Sequence, residues 1–428
     1  MQELKKVLII TYYWPPSAGS GVQRWLKFSK YLPDYGWEPV IFTPENPDFE
    51  LKDTSLFKEV PRNLEVLKFP IWEPYGIFRK LKGGSIKDPS KILEKGDKGI
   101  VDRISIWMRA NLLIPDPRMF WVKPSVSYLT DILGKNKIDT VITTGPPHSL
   151  HLIGRNLKRA TGVKWVADFR DPWSSWEFLD TLPMTPFVRK KHEELERSVL
   201  EEADRVITIS PTFQEEIKAI FPRGIDLITN GFDQTDLPRG FTTAPAISKG
   251  LKIVYTGIID AIRDPLPFLK ALRAAFDGSA IPVELTLVGK VSDKVVHFVE
   301  SDDWLATHVH LAGYVSHEEV FEYYEKANLL LLILTKTKNA KGNIPGKIFE
   351  YMATGRPVIA IGDPNGDSAQ ILEAAKAGMV FSHEEVKDIE SFLIKFAQGD
   401  IDIQAGGEVK KYDRKELTHQ LAGLLDEL

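Results

Sequence analysis

The stretch Gly342-Asn343-Ile344-Pro345-Gly346-Lys347-Ile348-Phe349-Glu350-Tyr351-Met352-Ala353-Thr354-Gly355-Arg356-Pro357-Val358-Ile359-Ala360 decides how this chain is read. It predicts a helix opened by Pro345 and Gly346, closed at Gly355, and followed at once by a buried strand. Proline and glycine suit a first turn, where a missing donor costs little. Gly355 suits the left-handed position past a helix end, and Pro357 prevents continuation. A helix N-terminus beside a glycine offers free N–H groups and the positive end of a dipole, a seat for phosphate. Lys347 adds a cation there. Glu350 follows one turn later on the same face, where a carboxylate can take the two hydroxyls of a ribose. Phosphate seat and ribose acceptor together describe a nucleoside diphosphate site. A plain helix-to-strand unit with an incidental lysine is the competing reading.

Composition bounds the setting. A chain of 428 residues with 43% hydrophobic side chains predicts two domains with large buried sheets. Its 55 basic and 59 acidic side chains leave a formal charge of −4, so no global field draws it to nucleic acid. Cysteine is absent, which excludes disulfides, thiol nucleophiles and cysteine-ligated metals. The short apolar run Val7–Ile10 follows Lys5-Lys6 but meets Tyr12-Tyr13-Trp14-Pro15 with no small-residue cleavage site. A first buried strand is expected there rather than a signal peptide. No apolar run approaches the roughly 20 residues that span a bilayer, and a cytoplasmic location is expected. The histidines are scattered, and Asp400-Ile401-Asp402 lies in a polar stretch, so no metal site is expected.

Short Val/Ile/Leu runs alternate with amphipathic stretches along the chain, the pattern of doubly wound α/β domains. Strands are predicted at Val7–Thr11, Glu38–Thr43, Thr140–Thr144, Lys164–Asp168 and Arg205–Ser210. A second set is predicted at Leu251–Tyr255, Val283–Val288, His308–Ala312, Leu329–Leu334 and Val358–Ile361. Asp233–Lys249 reads as a linker. Phe69–Ser125 is less regular, with Trp72, Trp107, Trp121, the basic run Arg79-Lys80-Leu81-Lys82 and the turn Pro115-Asp116-Pro117-Arg118. It reads as an insertion that touches an acceptor or a membrane surface, or as a packed excursion. Arg414–Leu428 carries leucines at amphipathic spacing and reads as a helix.

Further motifs sit at strand ends. Gly19-Ser20-Gly21-Val22-Gln23-Arg24 follows the first strand and is close to a dinucleotide fingerprint. An arginine stands in place of the third glycine, and no acidic residue closes the second strand. Gly19 and Gly21 are therefore assigned to close backbone approach. Gly145-Pro146-Pro147-His148 ends another strand, where open α/β sheets bind ligands, and His148 is a candidate, with His151 on the following helix. Asp168-Phe169-Arg170-Asp171-Pro172-Trp173 closes the next strand. Asp171 is suited to orient or deprotonate a hydroxyl, or else simply pairs with Arg170. In the second half Thr256-Gly257 ends a strand and Arg263 follows six residues later. Gly313-Tyr314-Val315-Ser316 precedes a helix, with Ser316 and Glu319 spaced as a capping box.

These motifs resemble those of the retaining glycosyltransferases of family 4 (group 1), in particular the bacterial type that builds surface polysaccharides, and the resemblance covers essentially the whole chain. It implies the GT-B fold: two Rossmann-like doubly wound parallel-sheet domains facing across a cleft. Residues 1–237 would form the acceptor side, residues 238–411 the nucleotide-sugar domain, and a helix within 412–428 would cross back to the first. The implied donor-binding set is Gly19, Gly21, Gly257, Arg263, Tyr314, Gly346, Lys347 and Glu350, and the implied catalytic set His148, Asp171, Arg263 and Lys347. Arg263 and Lys347 would stabilise the departing diphosphate without a metal. The partners implied are a nucleotide sugar and a glycan or lipid-linked acceptor, with peripheral membrane contact; no cofactor is implied. Two departures matter. Gly342 stands where many members have a first glutamate that touches the transferred sugar, and Ile258 stands where many have a second arginine. A GT-B nucleotide-sugar epimerase, or a non-catalytic nucleotide-sugar-binding subunit, uses the same nucleotide site.

Overall fold

Buried parallel strands announce themselves as unbroken apolar runs, because helices cover both faces of the sheet. Leu329–Ile333 and Val358–Ile361 are buried at every residue. The computed structural model describes residues 4–49, 52–74, 100–238, 247 and 250–428. The chain divides into two compact units, Met1–Asn230 with Arg414–Leu428, and Gly231–Asp413.

The first unit holds seven parallel strands: β1 (Lys5–Ile10), β2 (Trp37–Pro44), β3 (Glu65–Phe69), β4 (Thr140–Gly145), β5 (Lys164–Phe169), β6 (Arg205–Thr208) and β7 (Asp226–Leu227). Their order is β3-β2-β1-β4-β5-β6-β7. The second holds β8 (Leu251–Thr256), β9 (Val283–Val288), β10 (Val309–Gly313), β11 (Leu329–Ile333), β12 (Val358–Ile361) and β13 (Gly378–Phe381), in the order β10-β9-β8-β11-β12-β13. Each sheet reverses direction of winding once, between β1 and β4 and between β8 and β11. Loops leaving the C-terminal ends of strands at such a reversal enclose a ligand-binding crevice. The doubly wound reading of both halves is thus correct.

All ten strands expected from sequence are present, with ends displaced by at most two residues. β3, β7 and β13 were missed; the last two are only two and four residues long, too short for alternation to show. The reading of Phe69–Ser125 as irregular needs correction from residue 100 onward. Helices occupy Ile100–Leu112 and Met119–Asn136, and Pro124 sits in the second turn of the latter. The basic run 79–82 and most of the expected linker lie outside the described residues.

Helix Arg414–Asp426 buries Leu417, Leu421, Leu424 and Leu425 against Trp25, Leu26 and Phe28 of helix Ser20–Tyr31. Just before it, Phe232 N–H donates to the Tyr412 carbonyl at 3.1 Å, so the chain enters and leaves the second unit side by side. Among the described residues no helix is long and apolar enough to cross a membrane.

Candidate functional site

In the second unit the loop after β8 and the crossover from β11 to β12 meet at the winding reversal. Gly257 ends β8 with φ of +137°, and a Cβ there would overlap the Lys347 ammonium. Both constraints demand glycine. Lys347 Nζ donates to the Thr256 carbonyl at 2.6 Å and lies 5.9 Å from the Tyr255 ring centroid. Burial pushes its pKa down from 10.5 to about 8; the Glu350 carboxylate opposes that shift and the Arg263 guanidinium adds to it. Lys347, Glu350 and Arg263 therefore share one electrostatic neighbourhood. Arg263 is itself bonded to Asp260, Nη1 to Oδ2 at 2.7 Å.

The helix is shorter than its sequence suggested. It spans Lys347–Ala353, with Gly346 as its N-cap and Pro345 just outside. Ile348 N–H donates to the Pro345 carbonyl and Phe349 N–H to that of Gly346, at 3.1 and 3.2 Å. Ile348, Phe349, Tyr351 and Met352 are buried, so packing rather than propensity holds so short a helix. Gly355 takes the expected left-handed conformation, φ +69°. Glu350 accepts from the Tyr324 hydroxyl at 3.4 Å. Gly342 is buried in the turn Ala340–Gly342 and offers no side chain. Tyr314 is 78% exposed. The capping box is present: Ser316 N–H donates to Glu319 Oε2 at 2.8 Å, and Glu319 N–H to Ser316 Oγ at 3.3 Å.

In the first unit the reversal lies between β1 and β4. Gly19 caps helix Ser20–Tyr31 with φ of +101° and open space where a Cβ would stand. Gly21 differs: a Cβ there would overlap Nη1 of Arg170, so this position makes room for a protein side chain. Arg170 also donates to Asp171 Oδ2 from Nε and Nη2, at 3.3 and 3.2 Å, and packs over Tyr13. Asp171 remains 37% exposed at its side chain. Arg24, in the place of a third glycine, is a core residue. Its Nε and Nη2 donate to both oxygens of Asp168, at 3.1 and 2.9 Å, and Trp25 Nε1 and Thr144 Oγ1 complete the carboxylate's shell. A buried bidentate pair, not a cofactor contact, explains the arginine.

His148 is buried and lies flat on Trp173, with ring centroids 4.8 Å apart and planes at 6°. Neither ring nitrogen meets strict hydrogen-bonding geometry among the described residues, although the Pro172 backbone lies close enough to favour the charged ring. Burial holds its pKa well below 6.5, reinforced by His151. His151 is on the following helix, as expected, bonded through Nδ1 to Thr143 Oγ1 at 2.9 Å. Trp173 Nε1 donates to His192 Nδ1 at 3.1 Å, and Ser174 N–H to Glu196 at 3.0 Å. The structure thus groups Gly21, Arg170 and Asp171, and separately stacks His148 on Trp173.

Residues 19–231 match the model of the glycosyl transferase 4-like domain, and residues 250–398 that of glycosyl transferases group 1. Together the two matches span most of the chain. The chain is a glycosyltransferase of the GT-B fold. Similar solved structures include Anabaena HepE in complex with UDP, with a TM-score of 0.63 at 13% identity over 99% of this chain and 100% of that one. The lipopolysaccharide outer core galactosyltransferase WaaB in its apo form gives 0.61 at 14% identity over 99% and 100%. The sucrose-phosphate synthase of Thermosynechococcus elongatus gives 0.60 at 15% over 99% and 98%. Among curated proteins no relative matches the sequence.

The sequence of this glycosyltransferase left several site neighbours unremarked. Thr256, Tyr324 and Tyr351 surround Lys347 and Glu350, yet Thr256 is 68 and 95 residues from the two tyrosines along the chain. Only Thr256 left a signal, a polar residue closing an apolar strand. Arg170 and Trp173 stood in a quoted motif; what they touch depends on the fold.

Proposed function

We propose that this glycosyltransferase moves a hexosyl unit, with retention, from a nucleoside diphosphate sugar to a glycan or lipid-linked acceptor, as surface-polysaccharide enzymes of family 4 do. One observation carries the reading: the Lys347 ammonium, its pKa lowered by burial, is seated on Gly257 at the end of β8 near Arg263, with the Glu350 carboxylate one turn away. Two cations suit a diphosphate, and a carboxylate at that interval suits a ribose. Anabaena HepE, of similar fold, has been solved in complex with UDP and again with UDP and glucose, which supports such a donor.

As the glycosidic bond breaks, negative charge grows on the diphosphate. Lys347 and Arg263, fixed before reaction, stabilise that charge without a metal. His148, kept neutral by burial, offers N–H or lone pair to sugar hydroxyls. Asp171, held by Arg170, orients or deprotonates the acceptor hydroxyl. The exposed Tyr314 is assigned to the nucleobase, and Gly19 and Gly346 to backbone approach. The catalysed step is tested by incubating the protein with UDP-, GDP- and ADP-sugars and measuring nucleoside diphosphate release, with and without EDTA. Release with one donor, unaffected by EDTA, is expected. Tight binding of a donor without any release would instead identify a non-catalytic binding subunit.

A further inference from the structure

A run of buried hydroxyl groups ends on Glu350. Thr256 N–H donates to the Tyr351 hydroxyl at 3.0 Å. The Tyr351 hydroxyl lies 3.1 Å from Thr256 Oγ1, which lies 2.9 Å from the Tyr324 hydroxyl, which donates to Glu350 Oε2 at 3.4 Å. Thr256 and both tyrosines are 2% exposed or less. The carboxylate end fixes the direction of the whole run. An ionised carboxylate only accepts, so Tyr324 gives its one proton to Glu350. Tyr324 therefore accepts from Thr256 Oγ1, and Thr256 Oγ1, its proton so engaged, accepts from Tyr351. The Tyr351 oxygen also accepts from the Thr256 amide. The carbonyl of the same Thr256 accepts from Lys347 at 2.6 Å. One strand-end residue therefore organises both charged groups of the proposed nucleotide site.

We propose that Tyr324 is a positioning residue for nucleotide recognition: it is the last donor of a one-way hydroxyl relay, Tyr351 to Thr256 to Tyr324, that aims the Glu350 carboxylate at the ribose hydroxyls, while the Thr256 carbonyl holds Lys347 for the diphosphate. Buried polar chains polarise one another and set a single geometry. Tyr324 touches no part of the ligand in this scheme; its effect passes through Glu350. The proposal rests on the assignment of Lys347 and Glu350 to a nucleoside diphosphate, and it makes a claim that assignment does not. Ribose selectivity and diphosphate affinity become separable by a substitution outside the ligand's reach.

The experiment is titration calorimetry with UDP, GDP and ADP, each against its 2′,3′-dideoxy counterpart, on wild type and on Tyr324→Phe. Phenylalanine keeps the edge-to-face packing on Phe321 and Tyr351. Wild type is expected to prefer one ribonucleotide over its dideoxy form by about tenfold, the scale of a hydrogen bond to a charged group. In Tyr324→Phe that ratio is expected to fall at least about threefold, with the dideoxy affinity unchanged. Thr256→Val, which removes the hydroxyl and keeps the carbonyl under Lys347, is expected to act likewise, and Thr256→Ser to restore the ratio. If Tyr324→Phe lowers the melting temperature but preserves the ribose preference, Tyr324 is structural and the relay is refuted. If Tyr324→Phe fails to fold, the Thr256→Val and Thr256→Ser pair decides between the same two outcomes. If wild type binds none of the diphosphates, the underlying site assignment falls, and the relay with it.

Discussion

At the scale of single residues, Lys347 carries opposed demands. Its burial on Gly257 suits a diphosphate and penalises the empty protein, because an ammonium is held away from water without a full counter-charge. The folded pKa of about 8 lies below the ordinary 10.5. Between those values the unfolded chain holds a proton that the folded one has released, so stability rises as pH climbs from about 8 to 10.5. Below about 8 both states are charged and the folded one bears the full penalty. Lys347→Met is therefore expected to stabilise the ligand-free protein at neutral pH by about 1–3 kcal/mol, a gain that shrinks above pH 8. Wild-type affinity for a nucleoside diphosphate is expected to decline above pH 8 as the free ammonium deprotonates. Chemical denaturation and calorimetry across pH check both; equal stability of the two proteins at about pH 7 contradicts the burial argument. Lys347 and Glu350 were legible in sequence because their spacing is local. The Tyr324 hydroxyl that orients Glu350 was not, since it comes from another helix.

At the scale of elements, the loop after β5 shows where local reading stops. Asp168-Phe169-Arg170-Asp171-Pro172-Trp173 marked a strand end, and the strand does close at Phe169. The division of labour within it was hidden. Asp168 belongs to the core pair with Arg24, Arg170 occupies the room left by Gly21, and Trp173 stacks on His148. The same loop is pinned by Ser174 N–H donating to Glu196, a 1% exposed carboxylate on helix Pro186–Glu202. Burial raises the Glu196 pKa from 4.5 to about 7. The folded protein keeps a proton that the unfolded chain loses over that window, so this group's contribution to stability falls as pH rises from 4.5 through 7. Glu196→Gln retains an acceptor for Ser174 and removes the charge. It is expected to be the more stable protein by about 1–3 kcal/mol above about pH 8, with the two converging below about pH 5. Denaturant melts at both pH values provide the comparison; parallel curves would mean that Glu196 is ionised in the folded state throughout.

At the scale of the whole molecule, two doubly wound sheets follow from the apolar strand runs alone, because parallel strands buried on both faces leave continuous Val/Ile/Leu signals. What sequence concealed was length and partnership: the two-residue β7, the seven-residue Lys347 helix, and helices beyond residue 100 in a stretch whose tryptophans and prolines obscured periodicity. Family matches along both halves make the chain a glycosyltransferase, while the chemistry of its donor rests on a handful of residues in the second unit.

That donor assignment underlies every chemical role proposed above, and thermal-shift titration with UDP, GDP and ADP on wild type, Lys347→Ala and Glu350→Ala probes it without needing the acceptor. One of the three nucleotides is expected to stabilise wild type, and both variants are expected to lose most of the shift while remaining folded. Stabilisation that survives unchanged in both variants, or no stabilisation of wild type by any of the three, would contradict the assignment.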